Sequence, residues 1–159
     1  MTGLPEEDVG TFPRPPALEW RDWPITVALG GVRIVEAPGA WRVLETFHPP
    51  TYYVAREHFA PGALSPARAR ATLCEWKGRA RYFDLTGGGR TAPAAAWDYP
   101  DPTPAFAALS DHLALYAEPM DEVTVAGVRV VPQPGSFYGG WTTPNVSGPV
   151  KGAPGTTHW

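Results

Sequence analysis

Hydrophobic and polar positions along this chain fall into short runs broken by glycine and proline. Ile25 to Leu29 and Val32 to Glu36 are β-branched runs on either side of Gly30-Gly31. Two glycines between such runs predict a hairpin with a primed turn, because both turn residues need positive φ. Pro38-Gly39 marks the next turn. From Trp41 to Phe47 the pattern alternates. Trp41, Val43, Glu45 and Phe47 share one face, and Arg42, Leu44 and Thr46 share the other. His48-Pro49-Pro50 ends that strand, and Tyr52 to Ala55 forms another. Arg56 to Pro66 reads as a loop with a helical turn, and Ala67 to Glu75 as a strand entering a turn at Lys77-Gly78. Arg79 to Leu85 and Ala92 to Tyr99 flank Thr86 to Arg90, which reads as a longer hairpin loop. Phe106 to Leu109 is a short helix. Leu113 to Tyr116, Val123 to Val125 and Val128 to Val131 complete the strands, with Gly127 supplying the last turn.

About eight or nine short strands at regular spacing predict a mainly-β fold of antiparallel sheets, with at most one or two short helices. Three regions follow. Residues 1–19 read as a flexible arm, since Pro5, Pro13, Pro15 and Pro16 prevent regular pairing. Residues 20–132 form the β domain. Residues 133–159 are rich in glycine and proline but carry Phe137, Tyr138, Trp141 and Trp159. A disordered tail seldom holds so many rings, so this segment is expected to lie extended on the domain and bury them.

Composition sharpens the picture in a few places. A chain of 159 residues that is 43% hydrophobic is one globular domain on size, burying roughly 70% of its unfolded surface. The 17 glycines and 20 prolines follow no short period and mark turns. The net charge of −3 argues against a nucleic-acid polymer as partner, which calls for a basic face. Arg68, Arg70, Lys77, Arg79 and Arg81 cluster, either as a solvated strand face or as contacts to a phosphate-bearing small ligand. A single cysteine, Cys74, forbids an intrachain disulfide and suits a reducing compartment. Met1 to Pro16 has no apolar stretch of signal-peptide type, and no run approaches the 18 or so apolar residues that span a membrane. A cytoplasmic protein with no membrane partner is the expectation.

Few residues point to specific chemistry. Cys74 near Lys77 would be a nucleophile if the ammonium lowered the thiol pKa, but alternation along a strand aligns Cys74 with Trp76 and Glu75 with Lys77. A buried structural cysteine is the simpler reading. Lys77 before Gly78 could present its ammonium to a phosphate or carboxylate. Glu45, placed on the Trp41 and Val43 face, would be a carboxylate among apolar neighbours. Burial raises such a pKa and makes a general acid or base, unless an ion pair with Arg56 or Lys77 compensates it. Gly87-Gly88-Gly89-Arg90-Thr91 lacks the spacing and lysine of a phosphate loop. Ser136 sits one place early for a nucleophile elbow. His48, His58, His112 and His158 show no ligand spacing, so no metal site is expected. The aromatics Tyr52, Tyr53, Trp76, Tyr82, Phe83, Trp97 and Tyr99 concentrate mid-chain. Some are core, and the surplus could line a pocket for a flat or cationic ligand.

His48-Pro49-Pro50, Tyr52-Tyr53, Cys74-Glu75-Trp76-Lys77-Gly78-Arg79-Ala80-Arg81-Tyr82 and Ala96-Trp97-Asp98-Tyr99-Pro100, in this order, resemble the bacterial domain-of-unknown-function 427 family, over roughly residues 25 to 132. The tail resembles an extension carried by a subset of that family. The resemblance implies a β-tent fold, two antiparallel sheets pinned near one edge, as in methionine sulfoxide reductases and the thalidomide-binding domain of cereblon. It also implies an aromatic-lined ligand groove between the sheets. The cysteine pairs that hold zinc in those relatives are missing here. The family is also labelled a nucleotidyltransferase, but no carboxylate pair at metal-binding spacing accompanies that label.

The expected function is a small-molecule-binding β domain, or an enzyme built on one. Tyr53, Trp76, Tyr82, Trp97 and Tyr99 would stack the ligand, with Arg56 as a polar contact. Lys77 would hold an anionic group, Glu45 would accept a hydrogen bond or act as base, and Cys74 would be the nucleophile of a covalent variant. No cofactor is specified. The alternatives are nucleotide handling and an interaction module in which the aromatic tail docks on a partner or forms a homodimer.

Overall fold

The computed structural model describes residues 4–67, 72–74, 77–133 and 139–151, with the backbone alone for 72–74. The strands are β1 (Glu7–Asp8), β2 (Ala17–Arg21), β3 (Ile25–Leu29), β4 (Val32–Ala37), β5 (Ala40–Leu44), β6 (Thr51–Ala55), β7 (Leu64–Pro66) and β8 (Thr72–Cys74). They continue with β9 (Gly78–Gly87), β10 (Arg90–Asp98), β11 (His112–Leu115), β12 (Glu122–Val125), β13 (Val128–Arg129), β14 (Val131–Pro132), β15 (Trp141–Thr142) and β16 (Val146–Ser147). The helical content among the described residues is three 3₁₀ segments, Val9–Thr11, Arg56–His58 and Pro104–Leu109. The protein is mainly β. None of its described helices is long and apolar enough to cross a membrane.

An eight-stranded sheet runs β2-β5-β6-β11-β10-β9-β7, with β8 also paired to β9, and a four-stranded sheet runs β13-β12-β3-β4. All pairings within these two sheets are antiparallel. The main core lies between them. Ile25, Val27, Leu29, Val123 and Val125 of the smaller sheet meet Tyr52, Val54, Leu85, Leu113 and Leu115 of the larger. The space where the family resemblance implies a groove is therefore packed. Each of these side chains contributes roughly 1.5–3 kcal/mol by leaving water.

The Gly30-Gly31 hairpin is present, with φ of 62° and 81°. Thr86 to Arg90 is tighter than a long loop: Gly88 and Gly89, at φ 52° and 80°, make a two-residue turn. The reason is a crossing of the two hairpins. A Cβ on Gly30 would lie 2.0 Å from the Gly87 oxygen, and one on Gly88 would lie 1.8 Å from the Gly30 oxygen. Only glycine lets the backbones approach this closely. Asp121 ties the crossing by accepting from Gly31 N–H at 2.8 Å and pairing with Arg90 at 3.1 Å.

Residues 4–19, expected as a flexible arm, are built into the fold. β1 pairs in parallel with β16, and β2 is the edge strand beside β5. Leu4 and Val9 are buried, and Asn145 donates to the Pro5 carbonyl at 2.7 Å. The prolines interrupt pairing at 13–16, but the stretches on either side find partners that local sequence does not reveal.

The fixing point is Arg42 on β5, which is fully buried. Its guanidinium donates two bonds of 2.8 Å to Glu7 and one of 2.9 Å to Glu19, whose carboxylate it also contacts through Nη2. The Trp23 ring lies 4.8 Å from the guanidinium carbon and the Tyr52 ring 5.8 Å. Tyr52 in turn stacks on Trp141 at 5.0 Å, and Trp141 Nε1 donates to the Leu115 carbonyl at 3.1 Å. Burial would lower the Arg42 pKa, but hydrogen bonding to Glu7 and the neighbouring negative groups raise it. Glu19 is the mirror case. Burial would raise its pKa, but hydrogen bonds from Arg21 and Arg42 hold it below the ordinary value.

Replacing Arg42 by Met strands the Glu7 carboxylate and takes one of two arginines from Glu19. Glu19 keeps Arg21 and some water, so the expected cost is about 3 kcal/mol, the low end for a broken buried pair, measurable by urea unfolding. A depressed carboxylate stabilises the fold above its unfolded pKa and loses that contribution as pH falls through the folded one. Wild-type stability should therefore decline below about pH 4.5, the ordinary value, and the decline should be smaller in Arg42→Met.

Candidate functional site

The outer face of the larger sheet carries an aromatic row. Alternation sends Tyr52, Phe83, Ala96 and Leu115 to the main core and Tyr53, Tyr82, Trp97 and Tyr116 to the other side. Across strands, Tyr82 stands opposite Trp97 and Trp97 opposite Ala114, while Tyr53 pairs with Trp41 and Trp41 with Trp20. Trp97 Nε1 donates to Tyr53 Oη at 3.4 Å. Its ring lies 4.7 Å from that of Tyr116, and Tyr53 lies 6.2 Å from Tyr99. Pro104–Leu109 caps part of the face with Phe106 and Leu109. The Lys77 ammonium sits 5.7 Å from the Tyr99 ring and 5.9 Å from that of Phe106, a cation–π arrangement.

Five of the candidate residues are thus brought together: Tyr53, Tyr82, Trp97, Tyr99 and Lys77. Tyr53, Trp97 and Tyr99 are buried as a floor, and Tyr82 is half-buried. Tyr116 belongs with them and was missed in the sequence. Burial first, then the neighbouring Tyr82 and Tyr53, raise its phenol pKa, so three phenols share one patch. Its two-residue spacing from Ala114, itself opposite Trp97, was the available signal.

Other candidates fall elsewhere. β5 stops at Leu44, so Glu45 is not on the Trp41 face. It opens a turn in which His48 N–H donates to the Glu45 carbonyl at 3.0 Å and Phe47 takes a φ of 65°. The ion pair expected with Arg56 or Lys77 is made with Arg14, at 4.0 Å. The charge of Glu45 favours protonation of His48 and that of Lys77 opposes it. Arg56 lies on the Phe83 side of the sheet, 5.2 Å from that ring. There it donates to Asp98 at 2.8 Å and to Asp111 at 3.0 Å. Asp98 is buried and also receives Arg81 at 2.8 Å, so Arg56 is held in a structural network. The Cys74 side chain and Trp76 lie outside the described residues.

A cleft of about 370 Å³ opens beside Tyr116. One wall is the β10 segment Pro93 to Ala95, where the register shifts between Ala92 and Ala96 and Ala94 adopts a φ of 49°. Asp84 holds that bulge by accepting from Ala94 N–H at 2.8 Å. Bulges are common beside functional sites because they re-aim side chains. The other wall is the C-terminal segment, through Gln133, Gly139 and Gly140. Gly139 lies flat on Trp97, and a Cβ there would come 2.2 Å from the indole ring.

Fold and site define a mainly-β protein with two principal sheets and an aromatic patch on the outer face of the larger one. Residues 18–126 match the family model described as a domain of unknown function, DUF427, and the chain belongs to that family. A search of curated proteins finds no match. The matched span runs from β2 through β12 and ends before the segment that forms the second wall of the cleft.

Gly139→Ala should push the C-terminal segment off Trp97. The expected cost is about 1–3 kcal/mol, as for an overpacked core, read by urea unfolding.

Proposed function

We propose that the protein binds a small molecule on the aromatic patch and in the cleft beside Tyr116. One observation carries the reading: Tyr53, Tyr82, Tyr116 and Trp97 converge on one sheet face, with the Lys77 ammonium over the adjoining Tyr99 and Phe106 rings. Such a surface suits a flat ring that stacks on half-buried tyrosines and carries an anionic group toward Lys77. Concave, partly apolar sites with a few placed polar groups are the usual form of small-molecule sites. An enzyme built on this site would draw its acid–base chemistry from the Glu45 and His48 neighbourhood.

A thermal-shift screen of the full chain tests the reading, with nucleotides, flavins, sugar phosphates, amino acids and quaternary amines, each with and without magnesium. A ligand near a hundred times its Kd adds about 2.7 kcal/mol, and at roughly 2–4 °C per kcal/mol for a chain of this size the midpoint rises by several degrees. The expected result is a shift from one ligand class that is lost in Lys77→Ala and in Tyr116→Ala. A well-folded protein that responds to nothing in the panel would sink the proposal. A nucleotide shift that requires magnesium would turn it toward nucleotide handling.

A further inference from the structure

The C-terminal segment straddles one short stretch of chain, Phe47 to Pro50. Lys151 N–H donates to the Phe47 carbonyl at 2.7 Å, and Trp141 N–H donates to the Pro50 carbonyl at 2.8 Å. Gly140 packs so closely that a Cβ there would lie 2.6 Å from the Pro49 oxygen. His48 is in the middle of this contact, and the buried Gln133 side chain faces it.

The Gln133 amide has its bonds assigned by its neighbours. Oε1 accepts from Gly140 N–H at 3.1 Å, and Nε2 donates to the Lys151 carbonyl at 2.8 Å. A backbone N–H can only donate and a carbonyl can only accept, so the amide orientation is fixed. Its third contact is Nε2 to His48 Nδ1, at 3.1 Å. With both ends committed, the proton in that bond belongs to Gln133. His48 Nδ1 is therefore a bare acceptor, and its imidazole is neutral with the proton on Nε2.

We propose that His48 and Gln133 form a proton-operated latch: a proton on Nδ1 sets N–H against N–H, expels the amide, and releases residues 139–151 from 47–50. Rotating the amide by half a turn does not rescue the contact. It would satisfy His48 but point Oε1 at the Lys151 carbonyl and the amino group at the Gly140 N–H, two repulsions in exchange for one bond. Among the described residues, the charged groups that act on the ring are Glu45, which favours protonation, and Lys151, Arg14 and Lys77, which oppose it. Burial opposes it most strongly, so the His48 pKa lies below its ordinary 6.5. A depressed histidine stabilises the latched state above the ordinary value and loses that contribution as pH falls toward the folded one. Gln133, Gly139 and Gly140 form one wall of the cleft, so release would open it. That last consequence, control of access, rests on the ligand-binding reading above, whereas the latch itself does not.

Hydrogen exchange on the full chain without ligand tests the latch, at about pH 7.5 and about pH 5.5, either side of the ordinary histidine pKa, with rates corrected for intrinsic chemistry. The amides of Gly140, Trp141 and Lys151 should lose about tenfold protection at the lower pH, as expected for one lost hydrogen bond. Leu113 and Leu115, in the centre of the larger sheet, should keep theirs. In His48→Asn, whose side-chain oxygen accepts a hydrogen bond but does not titrate, the tail should stay protected at both values. A tail whose protection ignores pH in the wild type, or one that responds to pH equally in His48→Asn, overturns the proposal. Should that variant not fold, wild-type NMR decides instead: the His48 ring and the Gly140 amide must titrate with one midpoint, and separate midpoints refute the latch. No ligand enters these measurements, so failure of the binding screen and failure of the latch are told apart.

Discussion

Arg42 holds a positive charge where water does not reach it, and much of the chain is arranged to compensate. A buried guanidinium is tolerated only when its donors are matched by carboxylates in good geometry. Glu7 and Glu19 supply them from segments that precede the first core strand. Trp23 and Tyr52 cover the flat faces of the guanidinium, and Tyr52 passes the contact on to Trp141 through a stacked pair. One side chain thereby connects the beginning of the chain, the edge of the larger sheet and the C-terminal segment. This is how the described parts of the proline-rich start, from residue 4, and of the C-terminal segment, residues 139–151, are tied to the domain.

The second constraint is steric. The tips of two hairpins cross at Gly30 and Gly88 with less than a methyl group of space between their backbones. That crossing pins the smaller sheet to the larger, and the interior between them fills with aliphatic side chains and Tyr52. Aromatic residues on the outer face of the larger sheet then have no place in that core. They pack on one another, on Pro104–Leu109 and on the C-terminal segment. The candidate site is a product of this division between two faces, and the bulge at Ala94 opens the cleft at its margin.

The strands were legible because alternation and turn residues are local signals. Gly30-Gly31, Tyr52 to Ala55 and the Arg79 to Leu85 strand all stand close to where periodicity places them. The mid-chain concentration of aromatics was also readable, but that Tyr53, Tyr82 and Trp97 share a face depends on the pairing register between strands. Charged residues were not readable. Glu45 was placed by continuing an alternation that stops at Leu44, where Phe47 turns left-handed. Arg56, in a 3₁₀ turn, and Asp98, on β10, found each other across the fold, and Arg42 looked like any strand arginine. Ion pairs of this kind depend on partners tens of residues away, and no period in the sequence encodes them.

By itself, then, the amino-acid order determined a mainly-β chain of short antiparallel strands and the positions of most turns. Backbone propensity and two-residue periodicity act over a few residues, so they can be read from a few residues. The tertiary structure decided which charges are buried, that Gly87 and Gly88 serve a hairpin crossing, and that Gly139 lies on Trp97 at the wall of a cleft. It also set the proton position between His48 and Gln133. Each of these depends on groups that meet only once the sheets have packed, and burial is what gives a charge, a missing Cβ or a single proton its energetic weight.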